Sequence, residues 1–290
     1  MTGSAGPGTS PADQALACLR EGTGERHEGR VFSSDLSVDE AILLKEVGYE
    51  PRGLVMGSAI YHVGYMFGTM GQNVEVTTLS QAMVQAREAA MSRITTDARR
   101  VGGDGVVGVR LTIDMFEPRH HLMEFVAIGT AVAAGAGALA RQRSRRHPFT
   151  SDLSGQDFYL LQRAGYEPLS LVMGSCVYHV ARQGVGRWMG NQAQNVELDT
   201  YTQAFYEARE LAMERLQAEA TAEGAEGVVG VTISERSHAW GSRAIEFFAL
   251  GTAVRLVTDE HRRLDPRMVL PLDDPVVATD PRAVTGSSGE

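Results

Sequence analysis

Two tandem α+β domains are predicted for this chain on three observations. The first is internal duplication: FSSDLSVDEAILLKEVGYEPRGLVMGSAIYH (32–62) is answered by FTSDLSGQDFYLLQRAGYEPLSLVMGSCVYH (149–179). The second is order: in each copy helical and strand-like hydrophobic patterns succeed one another in the same sequence. The third is punctuation. Segments rich in Gly, Pro, Ser, Ala or charge occupy residues 1–30, 133–148 and 258–290. They read as a disordered N-terminal tail, a linker and a disordered C-terminal tail. They leave repeat 1 at 31–132 and repeat 2 at 149–257, each long enough for a core of its own.

Each repeat opens with a short helix. Ser37 and Glu40 have the spacing of a capping box, and Ser154 and Asp157 repeat the positions. Leu43, Leu44 and Val47 follow a helical period. Gly48 and Gly165 suit its C-terminal end, and Pro51 and Pro168 keep the chain extended beyond it. LVMGSAIYHVGY (54–65) is rich in strand formers, with Gly57 as a bulge or a point of close approach. A polar loop follows, GTMGQN (68–73) in repeat 1 and RQGVGRWMGNQAQN (182–195) in repeat 2. It is five residues longer in repeat 2, because the offset between copies grows from 117 (His62 to His179) to 122 (Glu75 to Glu197).

A long helix covers about 77–101, with Leu79, Met83, Ala86, Ala90 and Ile94 on one buried face. Two strands close the unit, about 105–116 and 121–132 in repeat 1. A small antiparallel sheet with helices on one face results. Three strands leave the other face bare and the edges open, so joining to neighbours is expected from the topology itself.

Composition excludes several classes. A hydrophobic fraction of 43% with 22% charged residues is that of a globular protein. A net charge of −9 argues against nucleic-acid binding. Cys18 and Cys176 make no disulfide framework, since Ala59 fills the Cys176 position in repeat 1. With no signal-peptide pattern in MTGSAGPGTSPADQ, a reducing cytoplasm is the expected location. LMEFVAIGTAVAAGAGALA (122–140) approaches membrane-span length, but Glu124 interrupts it and its copy soon becomes charged. A core strand running into the linker is expected, and no membrane.

Comparison of the copies filters the candidate sites. Gly103-x-Gly105-x-x-Gly108 spells a dinucleotide fingerprint but follows a helix and opens a strand, the reverse of the required context. His62 and His179 are retained, one per repeat where zinc takes three or four; they read first as hydrogen-bonded core or interface histidines, and as candidate metal ligands where ring symmetry gathers several. Cys176 and His179 stand three apart on a strand, which points them to opposite faces. His120 and His121 face Ser242 and Arg243 in the other copy and read as surface residues.

Glu124 and Glu246 are carboxylates on apolar strand faces and need partners; Arg87 and Arg209 on the long helices are the candidates. These four are read as interface or ligand residues. Glu75 and Glu197 sit where a helix N-terminus favours negative charge. Trp188, with Arg182 and Arg187, marks the loop 182–195 as a candidate contact for a protein partner. The linker arginines at 141, 143, 145 and 146 read as a solvated run. No Ser/His/Asp nucleophile arrangement and no CxxC pair is present.

The ordered run SDLS, GYEP, LVMGS-YH, a Gln/Asn loop, AREAAM, GDGVVGVRL and EFVAIGTAV resembles the YbjQ-like family, which carries a heavy-metal-binding label. The likeness spans both repeats, is specific because several motifs fall in order, and leaves the tails and linker outside. It implies a dodecin-like βαββ core in each repeat, ring assembly in fives, and no established enzyme activity or cofactor. The expected function is a non-enzymatic, ring-forming assembly or binding protein. A metal-ion or small-ligand binder using symmetry-related polar residues is the alternative. Two domains per chain then suggest a homo-oligomer of five chains in two stacked rings.

Overall fold

The computed structural model describes residues 32–62, 74–115, 122–135, 147–180, 199–238 and 244–258. The two tails, most of the linker, His120, His121 and the 182–195 loop with Trp188 lie outside the described residues.

Repeat 1 contains α1 (Val38–Glu46), β1 (Tyr49–His62), β2 (Val74–Glu75), α2 (Thr77–Arg100), β3 (Gly105–Met115) and β4 (Leu122–Ala134). Repeat 2 contains β5 (Phe149–Thr150), α3 (Gly155–Arg163), β6 (Tyr166–His179), α4 (Asp199–Ala222), β7 (Gly227–His238) and β8 (Ala244–Leu256). The order helix, strand, helix, strand, strand is the one expected, with two tiny strands added.

Those tiny strands interlock the repeats. Three antiparallel strands of each sheet come from one repeat: β1, β4 and β3 in the first sheet, β6, β8 and β7 in the second. A fourth strand in each comes from the other repeat, giving orders β1-β4-β3-β5 and β2-β6-β8-β7. β5 runs parallel to β3, with Phe149 opposite Gly105, and β2 runs antiparallel to β6, with Glu75 opposite Tyr178.

Local signals act much as the residues suggest. Ser37 accepts from the Glu40 amide at 3.2 Å, and the Ser37 amide donates to Glu40 Oε2 at 2.8 Å, a full capping box. Ser154 accepts from Asp157 in the same way at 3.1 Å. Gly48 and Gly165 end their helices with φ of 85° and 84°, a conformation that costs glycine little. Gly57 is a close approach rather than a bulge. A Cβ there would stand 2.0 Å from Ala90 O, and one on Gly174 would stand 1.7 Å from Ala212 O. The bulge lies earlier, between Pro51 and Gly53, because strand β1 begins at Tyr49.

The layers alternate. Leu79, Met83, Ala86, Ala90 and Ile94 are buried as expected, yet they serve two sheets. On one side α2 meets Ala59, Ile113, Met123 and Phe125 of its own sheet; on the other it meets Met173, Val177 and Phe248 of the second sheet. The far side of that second sheet, through Cys176, Tyr178 and Phe247, packs on Ala204, Ala208 and Ala212 of α4. A smaller core joins the short helices: Tyr49, Phe149 and Phe158 pack ring on ring beside Leu44 and Leu161.

Candidate functional site: the junction between the repeats

Four charged groups with like-charged counterparts in the other copy, Glu75, Arg87, Arg215 and Glu219, meet where β2 and α2 join repeat 2. Glu75 is the second residue of β2, so backbone pairing to β6 holds it over α4. Its carboxylate accepts two hydrogen bonds from Arg215, at 2.6 and 2.8 Å, in the bidentate form that a guanidinium favours. Arg215 Nη1 also donates to Ser175 O at 2.6 Å. Burial alone pushes the Glu75 carboxyl up. The hydrogen bonds from Arg215 and Ser80, with the Arg215 charge, outweigh that and hold it below its ordinary value. Glu75 is therefore an ion-pair residue and not a helix cap; the N-cap of α2 is Val76, with no side-chain cap bond.

One helical turn along α4, Glu219 completes a second pair. Its Oε1 stands 2.7 Å from Arg87 Nη1, and its Oε2 accepts from the Met173 amide at 3.1 Å. Arg87 is only 5% exposed and also reaches Leu171 O at 3.5 Å. Ser80 Oγ accepts from the Val177 amide at 3.1 Å, and the Val76 amide donates to Val177 O at 2.8 Å. Beside the Arg87–Glu219 pair a groove of about 510 Å³ opens, edged by His147, Thr150, Ser170 and Glu223. Two ion pairs of opposite direction, Glu75 to Arg215 and Arg87 to Glu219, fix the register of the two bodies. Such pairs add orientation more than net stability, because desolvation offsets much of their attraction.

Arg87 thus takes Glu219 as its partner, and Glu124 lies elsewhere. Glu124 is half-buried on the face of the first sheet turned away from α2, opposite Ile60 on one side and Asp114 on the other. Glu246 occupies the equivalent place in the second sheet but is 1% exposed, opposite Val177 and Arg236. Arg209 is exposed on α4. His62 is exposed and His179 half-buried at the ends of β1 and β6.

The described residues do not fit a heavy-metal centre. Among them no group of three or more His, Cys, Asp or Glu side chains is placed to hold an ion. Cys176 is buried, and burial, with the nearby Glu75 charge, pushes its thiol up to about 12. It is therefore a neutral thiol at physiological pH, while metals bind the thiolate.

Three functional groups escaped the sequence. Asp97 and Glu219 each accept from a strand amide, at Met56 and Met173. Arg93 and Arg215, four residues earlier, each donate to the carbonyl of Ser58 or Ser175. The repeated SDLS motif latches onto a threonine of the last strand. Ser34 and Asp35 bond Thr130, and Ser151 and Asp152 bond Thr252, at 3.0 Å from Ser151 and 2.5 Å from Asp152. Burial raises the Asp152 carboxyl above its ordinary value despite the Thr252 bond. Apart from Asp97, which answers Glu219 as one acid to another, these residues are identical between copies, and that retention is the available signal.

A family profile described as "Putative heavy-metal-binding" (YbjQ type) matches residues 51–135 and 166–257. A protein of Mycobacterium tuberculosis named as an encapsulin nanocompartment protein is 44% identical over 252 residues, covering 85% of this chain and 94% of the relative. A UPF0145 protein of Halorubrum lacusprofundi is 39% identical over 93 residues, covering 31% of this chain and 85% of its own length. Another, from Psychrobacter arcticus, is 38% identical over 94 residues, covering 31% of this chain and 56% of the relative.

Proposed function

This chain belongs to the YbjQ-type family, and from that membership we propose a non-enzymatic assembly protein that associates with copies of itself into a closed ring. One observation carries the reading. The outer face of the second sheet is buried under α2, with Leu171 and Met173 at 2% and Val177 at 0% exposure. The same face of the first sheet has Leu54 at 43%, Met56 at 55% and Ile60 at 52%. Each fold unit supplies one helical layer and needs another from a neighbour. Within the chain that need is met once and left open once.

The contact between repeats is heterologous: a helix of one meets a sheet of the other. Heterologous contacts generate rings when the rotation closes. A name that speaks of a nanocompartment, borne by a relative matched over 94% of its length, supports assembly rather than catalysis. Five chains, ten domains in all, is the stoichiometry proposed, whether as two stacked rings or otherwise. Light scattering or native mass spectrometry of the untagged full chain tests it. A particle of five times 31.3 kDa is expected; a single chain at micromolar concentration overturns the proposal, and another whole multiple replaces the number five.

A further inference from the structure

We propose that a second copy of this chain docks repeat 1 onto the outer face of α4 in the first copy, reproducing the contact that already joins the two repeats. The inference rests on the assembly reading above and adds its surfaces. The internal contact has a donor side on repeat 1 and an acceptor side on repeat 2. Because the repeats are copies, repeat 2 carries an unused donor side and repeat 1 an unused acceptor side.

The unused donor side is open on α4. Arg209 corresponds to Arg87 and Phe205 to Met83, through the offset of 122 that relates the long helices. Arg209 and Tyr206 are exposed, Tyr206 at 59%. A hollow of about 420 Å³ lies there, edged by Tyr201, Phe205, Arg209 and Phe247. The unused acceptor side is the outer face of β1, where Met56 and Ile60 correspond to the buried Met173 and Val177. Asp97 corresponds to Glu219, accepts from the Met56 amide, stands 3.6 Å from Arg100 Nη1 as its partner on the same helix, and keeps a third of its side chain in solvent.

A second, independent fit comes from the edge strands. Phe149 is fully buried because its ring lies where a Cβ on Gly105 would be, 2.0 Å from that position. Its counterpart Phe32 is 57% exposed. The counterpart of Gly105 is Gly227, whose Cβ position meets nothing closer than Val254 at 3.9 Å. Exposed aromatic ring and open glycine notch belong to different repeats. They meet if Phe32 of one copy enters the edge of β7 in the next.

Charge completes the match, since Arg209 of one copy reaches Asp97 of the next as Arg87 reaches Glu219 within the chain. The α2 face of repeat 1 is already occupied by repeat 2, so like repeats cannot use this contact. Repeated from chain to chain, this contact makes the two repeats alternate around one ring where its rotation closes.

Charge reversal tests this on the full chain, read by native mass with helix content checked by circular dichroism. R209E and D97R, each alone, place like charges in a desolvated contact and are expected to reduce the particle to single chains. Both changes together in one chain are expected to restore the wild-type mass. In a chain with Cys18→Ser, a cysteine pair, Ser58→Cys with Phe205→Cys, occupies the counterparts of Ser175 and Met83, whose Oγ and Sδ stand 3.6 Å apart within the chain; oxidation is expected to link chains into a covalent ladder that neither single variant forms. A wild-type single chain overturns the assembly reading itself. A wild-type oligomer whose mass both reversals leave unchanged, or which the double variant does not restore, overturns the alternating contact alone and leaves stacked like-repeat rings.

Discussion

At the residue scale, what separates the two copies is which groups have found partners. Arg87 and Arg209 are the same residue of the repeat, one buried against Glu219 and the other exposed. Duplication in the sequence marks both as candidates, and nothing local tells them apart. Glu75 shows how a local rule can be displaced: the helix dipole invites a carboxylate there, but a bidentate guanidinium at 2.6 and 2.8 Å offers more. The folded-state carboxyl is held below its ordinary value near 4.5. An acid with a lowered folded pKa contributes stability above its unfolded pKa and loses it as pH falls through the folded one. Glu75→Gln is therefore expected to lower the melting temperature at pH 7 by about 2–4 °C, modest because solvent screens the partly exposed pair. Thermal scans from pH 7 to 3 should show that gap closing below about pH 4.5; a gap constant with pH would mean that the charge of Glu75 is not involved.

Elements were the most legible scale. The expected helix over 77–101 is found at Thr77–Arg100, and the two closing strands fall at Gly105–Met115 and Leu122–Ala134. Period and caps suffice there, because long amphipathic segments carry their own signal. The first strand is longer than expected, starting at Tyr49 rather than 54. Pro51 suggested a break, but the strand absorbs it with a bulge at Pro51/Gly53 on an edge where no amide is needed. The two-residue strands β2 and β5 have no periodicity to read, and their partners lie in the other repeat. Gly57 sets the distance between β1 and α2. Gly57→Ala is expected to destabilise by about 2–4 kcal/mol, since backbone and not a movable side chain fills the space. Denaturant melts measure this, and a loss under about 0.5 kcal/mol, the range of an ordinary surface change, would mean that the helix can shift.

For the whole molecule, the decisive fact is the asymmetry of two nearly identical sheets. Val177 is fully buried and Ile60, its counterpart, is 52% exposed. Val177→Lys should cost roughly 3–5 kcal/mol through an unpaired buried charge and weaken the junction itself. Ile60→Lys should leave the melting of the single chain within about 0.5 kcal/mol, as for a surface change, and act on particle mass. Equal effects of the two on chain stability would contradict the open face. The sequence by itself determined the duplication, the order of elements, the buried face of each long helix and the need for a neighbour, because these follow from periodicity and from the poor cover of a three-stranded sheet. Only the tertiary structure decided that the first neighbour is the other repeat, that Arg87 goes to Glu219 and Glu75 to Arg215, and which face is left over. Those outcomes depend on pairs of residues more than a hundred positions apart, and two copies of one sequence carry no local sign of which will be covered.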